Sequence, residues 1–158
     1  METLFKLVNA FPMPLWLAMM FAPNHRLTER ASRSGIIFSI AALNYVMALI
    51  QAARGGSPPG EAPGEGSGGV PNLTTLEGVR QGLSTPEGAL AGWSHMLALD
   101  LFTGAWIYRQ CRRLGAPAWV RIPALLFTLM TGPFGLLLFL VWRMLAGKTG
   151  EIAPQWLD

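Results

Sequence analysis

The apolar side chains of this chain neither alternate as in strands nor form one stripe. They gather into four long blocks, at residues 4–21, 35–53, 89–107 and 122–142. Crossing roughly 30 Å of hydrocarbon as a helix takes about 20 mainly apolar residues, and each block is close to that length. The pattern predicts an all-α, polytopic membrane protein, a four-transmembrane-helix bundle in which residues 1–158 form a single domain. In the first block Pro12 and Pro14 remove helix hydrogen bonds, so a retained helix with a proline-distorted start is expected there. A secretory signal fits poorly, because the charged start is only Lys6 and no small-residue cleavage pattern follows.

Between the second and third blocks, residues 54–71 are nearly bare of apolar side chains and rich in Gly and Pro. Nothing there can offset the entropy of ordering, so a flexible solvent loop is expected. After it, Leu73, Leu76, Val79 and Leu83 recur at helical spacing, with Thr74 and Glu77 spaced as a capping box. A short amphipathic helix over 74–83, lying on the membrane surface, is the expectation. Ser84 and Glu87 repeat the box, with Pro86 between them, at the start of the third block.

Composition agrees. Charged residues make up 13% of the chain against roughly 25% in soluble domains, and mean hydropathy is +0.36. The formal charge of +3 does not point to nucleic acid, because the Arg residues sit beside apolar blocks. Arg26, Arg30 and Arg33 fall in segment 24–33; Arg109, Arg112, Arg113 and Arg121 fall in segment 109–121. The positive-inside rule makes both segments cytoplasmic, with both termini and the Gly/Pro tract outside. Arg143 and Lys148 run against that assignment. Cys111 is the sole cysteine, so no internal disulfide can form. Its Arg neighbours favour a thiolate, although a loop thiol without a role is the simpler reading.

Polar groups inside the blocks carry the chemistry. Of nine carboxylates only Asp100 lies within a block, and His95 shares that block. An ionisable group near a bilayer centre costs about 2.5–3.5 kcal/mol on insertion scales, so it needs a partner or a function. At about 100° per residue the two lie about 140° apart on one helix. Gly92, Met96, Leu99 and Thr103 fill the arc between them, which can line one cavity flanked by Trp93 and Trp106. Comparing depths gives two polar layers: Asn9 with His95, and Asp100 with Thr128 and Asn44. The run Thr131-Gly132-Pro133 predicts a kink in the last block. Asp100 and His95 are thus the candidate catalytic residues. Asn9, Asn44, Trp93, Thr103, Trp106, Thr128 and Thr131 are the candidate substrate contacts. The competing reading is helix glue, hydrogen bonds of about 0.6 kcal/mol each between helices. No metal-ligand spacing and no nucleotide-binding loop occurs, and one intramembrane histidine cannot supply a bis-His haem site. Neither metal nor cofactor is expected.

Several short strings point to a family. Ala22-Pro23-Asn24, Trp93-x-His95 followed by Asp100-Leu101-Phe102, and Pro133-x-Gly135 occur with the four-block spacing. In these the chain resembles the neoxanthin-synthase-like, abscisic-acid-deficient-four family, known chiefly from plant chloroplast membranes. The resemblance implies a membrane protein of xanthophyll metabolism, where violaxanthin is converted to neoxanthin, and hence an intramolecular isomerase acting on a carotenoid-like lipid. Its partners would be the lipid bilayer and a lipophilic polyene or isoprenoid; a homo-oligomer is compatible with this. The lack of a soluble extension before the first block, with an Ala/Gly/Arg-rich composition, points to a bacterial inner-membrane member. Opening an epoxide to an allene has no net redox change, so no nicotinamide or flavin is demanded. It needs an acid for the epoxide oxygen, a role for Asp100, and a base for a vinylic proton, a role for His95. Two rivals stand beside this reading: a small proton-coupled conduit using Asp100, and a non-catalytic pigment- or lipid-binding assembly factor.

Overall fold

The computed structural model describes residues 2–54 and 74–148. Among these it has eight helices and no strand: α1 (Glu2–Ala10), α2 (Met13–Phe21), α3 (Arg26–Ser32), α4 (Gly35–Arg54), α5 (Leu76–Ser84), α6 (Pro86–Leu114), α7 (Ala118–Thr131) and α8 (Pro133–Leu145). The tract expected to be a flexible loop lies, from residue 55 onward, outside the described residues.

The first block is interrupted where its prolines fall. The chain turns at Phe11 and Pro12, and Pro14 sits in the first turn of α2, where a missing N–H costs nothing. Segment 24–33 is not a plain loop. Nδ1 of His25 accepts from the Leu27 amide at 3.3 Å and caps the short α3. Both caps expected before the third block lie one residue later than the Ser/Thr-x-x-Glu spacing indicated. Oγ1 of Thr75, not of Thr74, accepts from the Gly78 amide at 3.1 Å, and Oγ1 of Thr85, not of Ser84, accepts from Gly88 at 3.0 Å. Pro86 decides the second case, since proline favours the first helical position and puts the cap on the residue before it. Glu77 is drawn off to Arg80 and Gln81 instead.

Helix α6, 29 residues long, is the spine. Helices α1 and α2 run parallel to it: Phe5 meets Trp93, the Trp16 ring lies over Gly104, and the Tyr108 hydroxyl donates to the Pro23 carbonyl. Helix α4 runs antiparallel, with Tyr45 on His95 and Phe38 on Phe102. The main core lies in the half of the bundle toward the end of α6. There Trp16, Met19, Leu101, Tyr108, Leu125 and Phe139 are almost wholly buried. A smaller cluster around Ala48, Leu90 and Ala91 joins α4 to the start of α6.

The last block departs most from expectation. It is not one kinked span but two helices of 14 and 13 residues, reversed at Gly132 (φ 57°, ψ −96°). A Cβ on Gly135 would overlap the backbone nitrogen and Oγ1 of Thr128 and the Ala124 carbonyl. In a continuous helix residues 124 and 135 would be about 16 Å apart, so α8 is folded back onto α7. The Phe127 and Phe134 rings meet edge to face at 5.1 Å across the turn. The local sequence permits the reversal, since Gly132 takes a positive φ that side chains disfavour and Pro133 can begin a helix but cannot continue one; the close packing of Gly135 on α7 selects it.

Two helical stretches, Glu2–Phe21 and Gly35–Ala53, are long and apolar enough to cross a membrane. Helix α6 is long enough, but Ser94, His95 and Asp100 dilute its apolar run. Helices α7 and α8 reach about 20 Å each, short of a roughly 30 Å hydrocarbon layer. The expected bundle of four similar spans is therefore replaced by three long rods and a helical hairpin.

The reversal also corrects where the chain ends up. Nζ of Lys148 donates to the Leu114 carbonyl, so the chain at Lys148 lies beside the Arg-rich segments and not opposite them. Arg26, Arg30, Arg33, Arg109, Arg112, Arg113, Arg121, Arg143 and Lys148, nine of the twelve cationic residues, gather at that end. Arg143 and Lys148 no longer run against the charge asymmetry; they add to it.

The hairpin contact gives a test in which two effects oppose each other. Helix propensity favours Gly135→Ala by about 1 kcal/mol, whereas overpacking costs about 1–3 kcal/mol. Because the new Cβ meets backbone on α7, packing wins. We expect Gly135→Ala to lower the thermal unfolding midpoint in detergent, with a net loss of about 1 kcal/mol.

Candidate functional site

Asp100 lies midway along α6, level with the tip of the hairpin. A Cβ on Gly132 would come within 2.5 Å of Asp100 Oδ1, so the carboxylate rests directly against the reversal. The missing side chain at Gly132 thus allows both the turn and the close approach of the acid. Asp100 is half-buried and, among the described residues, has no hydrogen-bond or ion-pair partner. An uncompensated carboxylate within an otherwise apolar bundle costs free energy.

The face of α6 that carries Asp100 continues upward past the hairpin. Trp93, Met96, Asp100 and Thr103 fall within about 80° of one another on the helix. Above the turn no helix covers them fully: Trp93 is 40% exposed and Met96 49%. The Trp93 indole donates to Oδ1 of Asn9 at 3.0 Å, and its ring meets Phe5. Beyond this pair, toward the start of α6 and away from Asp100, opens a shallow groove of about 410 Å³ lined by Glu2, Phe5, Pro86, Ala89, Leu90 and Trp93. Trp93 and Asp100, seven residues apart, stand about 10 Å from each other along the axis. An apolar strip thus runs from an indole–amide pair to an unpaired acid.

His95 lies on another side. Its ring packs edge to face on Tyr45 of α4, with centroids 5.0 Å apart. The structure therefore pairs Asn9 with Trp93, and His95 with Tyr45. Thr128 is fully buried one turn before Gly132, where its hydroxyl donates to the Ala124 carbonyl at 2.7 Å and it packs on Gly135. The group recorded against the carboxylate is Gly132. Thr131 is exposed and donates to the Phe127 carbonyl at 2.9 Å. Trp106 meets Phe139 of α8 edge to face at 5.7 Å. Asn44 is half-buried on α4, one residue before Tyr45, and Thr103 is half-buried beside Asp100.

Two participants went unread in the sequence. Tyr45 carried no signal beyond being an aromatic residue in an apolar block. Gly132 was legible as a break but not as the neighbour of Asp100, because that contact depends on how far the chain turns. No group of three or more His, Cys, Asp or Glu able to hold a metal ion occurs among the described residues.

Taken together, these features define an all-α protein with one unpaired internal acid beside an open apolar face. The chain belongs to the ABA DEFICIENT 4-like family, whose sequence model matches residues 3–139. No curated protein and no solved structure matches it.

Cys111 is not a loop thiol. It lies in α6 at 1% exposure, and burial pushes the thiol up to about 12, with the Arg121 charge pulling weakly the other way. The thiolate that nucleophilic attack requires is therefore scarce at neutral pH. We expect Cys111 in the folded protein to resist maleimide at pH 8 and to label promptly once the chain is unfolded, as read by mass spectrometry. Rapid labelling before unfolding would contradict the burial.

Proposed function

We propose that the protein lies in a bilayer, binds a lipophilic polyene or isoprenoid along the open face of α6, and isomerises it with Asp100 as the proton-transferring group. The observation that carries this reading is the unpaired Asp100 carboxylate against the Gly132 reversal. Membership of the ABA DEFICIENT 4-like family supports a relation to neoxanthin synthase, and hence an epoxy-carotenoid as substrate class.

The chemistry balances with one carboxyl group. Protonated Asp100 gives its proton to the epoxide oxygen as the carbon–oxygen bond breaks. The resulting carboxylate takes the vinylic proton from the adjacent carbon as the double bonds become cumulated. No electrons leave, and the acid is restored. His95 lies about 140° around the helix, in contact with Tyr45, so it serves helix packing and not the same reacting centre. The apolar strip toward Trp93 and Asn9 accommodates the polyene.

For the membrane arrangement, helices α1–α2, α4 and α6 cross. The α7–α8 hairpin enters from the basic end and returns. The nine cations make that end cytoplasmic. Large apolar side chains that face outward, such as Leu7 at 61%, Ile36 at 74% and Met130 at 68% exposure, then meet lipid.

Two measurements test these statements. Reporter fusions at positions 28, 114 and 148 should report one side of the membrane and a fusion at 62 the other. A fusion at 148 reporting with 62 would remove the hairpin arrangement. For the chemistry, Asp100→Asn should keep folding and polyene binding yet slow conversion of added epoxy-carotenoid by about 10²–10⁴-fold, the usual worth of general acid–base catalysis. Unchanged conversion would leave Asp100 as helix glue, and binding without turnover in the unaltered protein would leave a pigment-binding protein.

A further inference from the structure

The basic end holds an arrangement that proton transfer at Asp100 does not use. Arg112 of α6 donates to Oδ1 of Asn24, and Nη2 of Arg121 of α7 donates to the Met20 carbonyl at 3.4 Å. Both acceptors are uncharged. Nε of Arg121 is buried with no hydrogen-bond partner. The Tyr108 hydroxyl donates to the Pro23 carbonyl at 2.7 Å, and both guanidinium charges act on it. Two cations therefore converge on the elbow between α2 and α3, and their partners among the described residues are neutral.

Among the described residues no carboxylate answers them. The one acid among the described residues of this end is Glu29, which is paired with Arg33 at 3.3 Å. Guanidinium forks match phosphate oxygens in geometry and charge, and such bonds are roughly twice as strong as those to neutral acceptors. The side chains around the elbow decide the source of the phosphate. Phe21 and Leu27, in and next to the elbow, are 69% and 65% exposed, and Trp119 at the start of α7 is 72% exposed, which suits acyl chains and an interfacial ring, not a free ion.

We infer that Arg112 and Arg121, over the Met20–Asn24 elbow, form a phosphate site that takes the headgroup of an anionic lipid. The site rests on the membrane reading above for the source of its ligand. The two fail separately, because the fusions test embedding and the following experiment is done in detergent.

The full chain in non-ionic detergent is supplied with phosphatidylglycerol, phosphatidylcholine or inorganic phosphate, and thermal unfolding is followed. Phosphatidylglycerol should raise the midpoint by several degrees, with phosphatidylcholine and inorganic phosphate well below it. The double variant Arg112→Gln/Arg121→Gln should lose that shift, while Arg80→Gln, on exposed α5 at the other end, should keep it. Native mass spectrometry of the unaltered chain from mixed micelles should retain phosphatidylglycerol in excess, a reading that does not depend on the variant folding. Equal retention of the two lipids, an equal shift from inorganic phosphate, or a shift that survives in the double variant would overturn the site.

Discussion

The structure turns on one backbone reversal, at Gly132. Had the last block continued past Pro133 as a kinked helix, its far end would have left the bundle on the side away from the Arg-rich segments. Because Gly132 adopts a positive φ and Pro133 restarts a helix, α8 instead lies back along α7. That single choice lets Phe139 complete the core and brings Lys148 to the Leu114 carbonyl. It also stops the hairpin at the depth of Asp100. Above the tip the face of α6 stays open, so a turn that is local in the chain leaves an exposed apolar face beside the acid.

Helix α6 carries two kinds of polar group on different sides, and the bundle treats them differently. His95 is accommodated by an aromatic partner on α4. Asp100 is not matched by any donor among the described residues, although the basic end of the same helix holds an excess of donors about two turns and more away. An unpaired carboxylate in a packed bundle costs free energy that a hydrogen bond or a hydrophobic replacement would remove. Its position against the hairpin tip therefore sets it apart from His95, whose ring has a partner.

The arginines at the basic end illustrate a related asymmetry. Arg109, Arg112 and Arg121 reach across to Ser32, Asn24 and Met20 and so tie the end of α6 and the start of α7 to the α2–α3 elbow. These are cations used as clamps on carbonyl and amide oxygens. Clamps of this kind hold the elements in place without neutralising the charge, so the end remains strongly electropositive while being structurally ordered.

Much of this was legible in the residues themselves. Block length and composition gave an all-α chain with helices over 35–53 and 89–107, Pro12 marked the break in the first block, and the isolation of Asp100 among nine carboxylates marked the acid. These depend on short-range rules: residues per turn, proline's missing N–H, the cost of burying charge. What the sequence could not settle was anything that depends on which helix faces which. A Gly-Pro pair reads equally as a kink or a reversal, since both relieve the same lost hydrogen bond. Only the packing of Gly135 on Thr128 and Ala124 decides for reversal. The pairing of Asn9 with Trp93, of His95 with Tyr45 and of Asp100 with Gly132 likewise joins residues 32 to 84 positions apart in sequence and set on different helices. Periodicity fixes the side of its own helix on which a residue lies, but the partner on that side is chosen by tertiary packing.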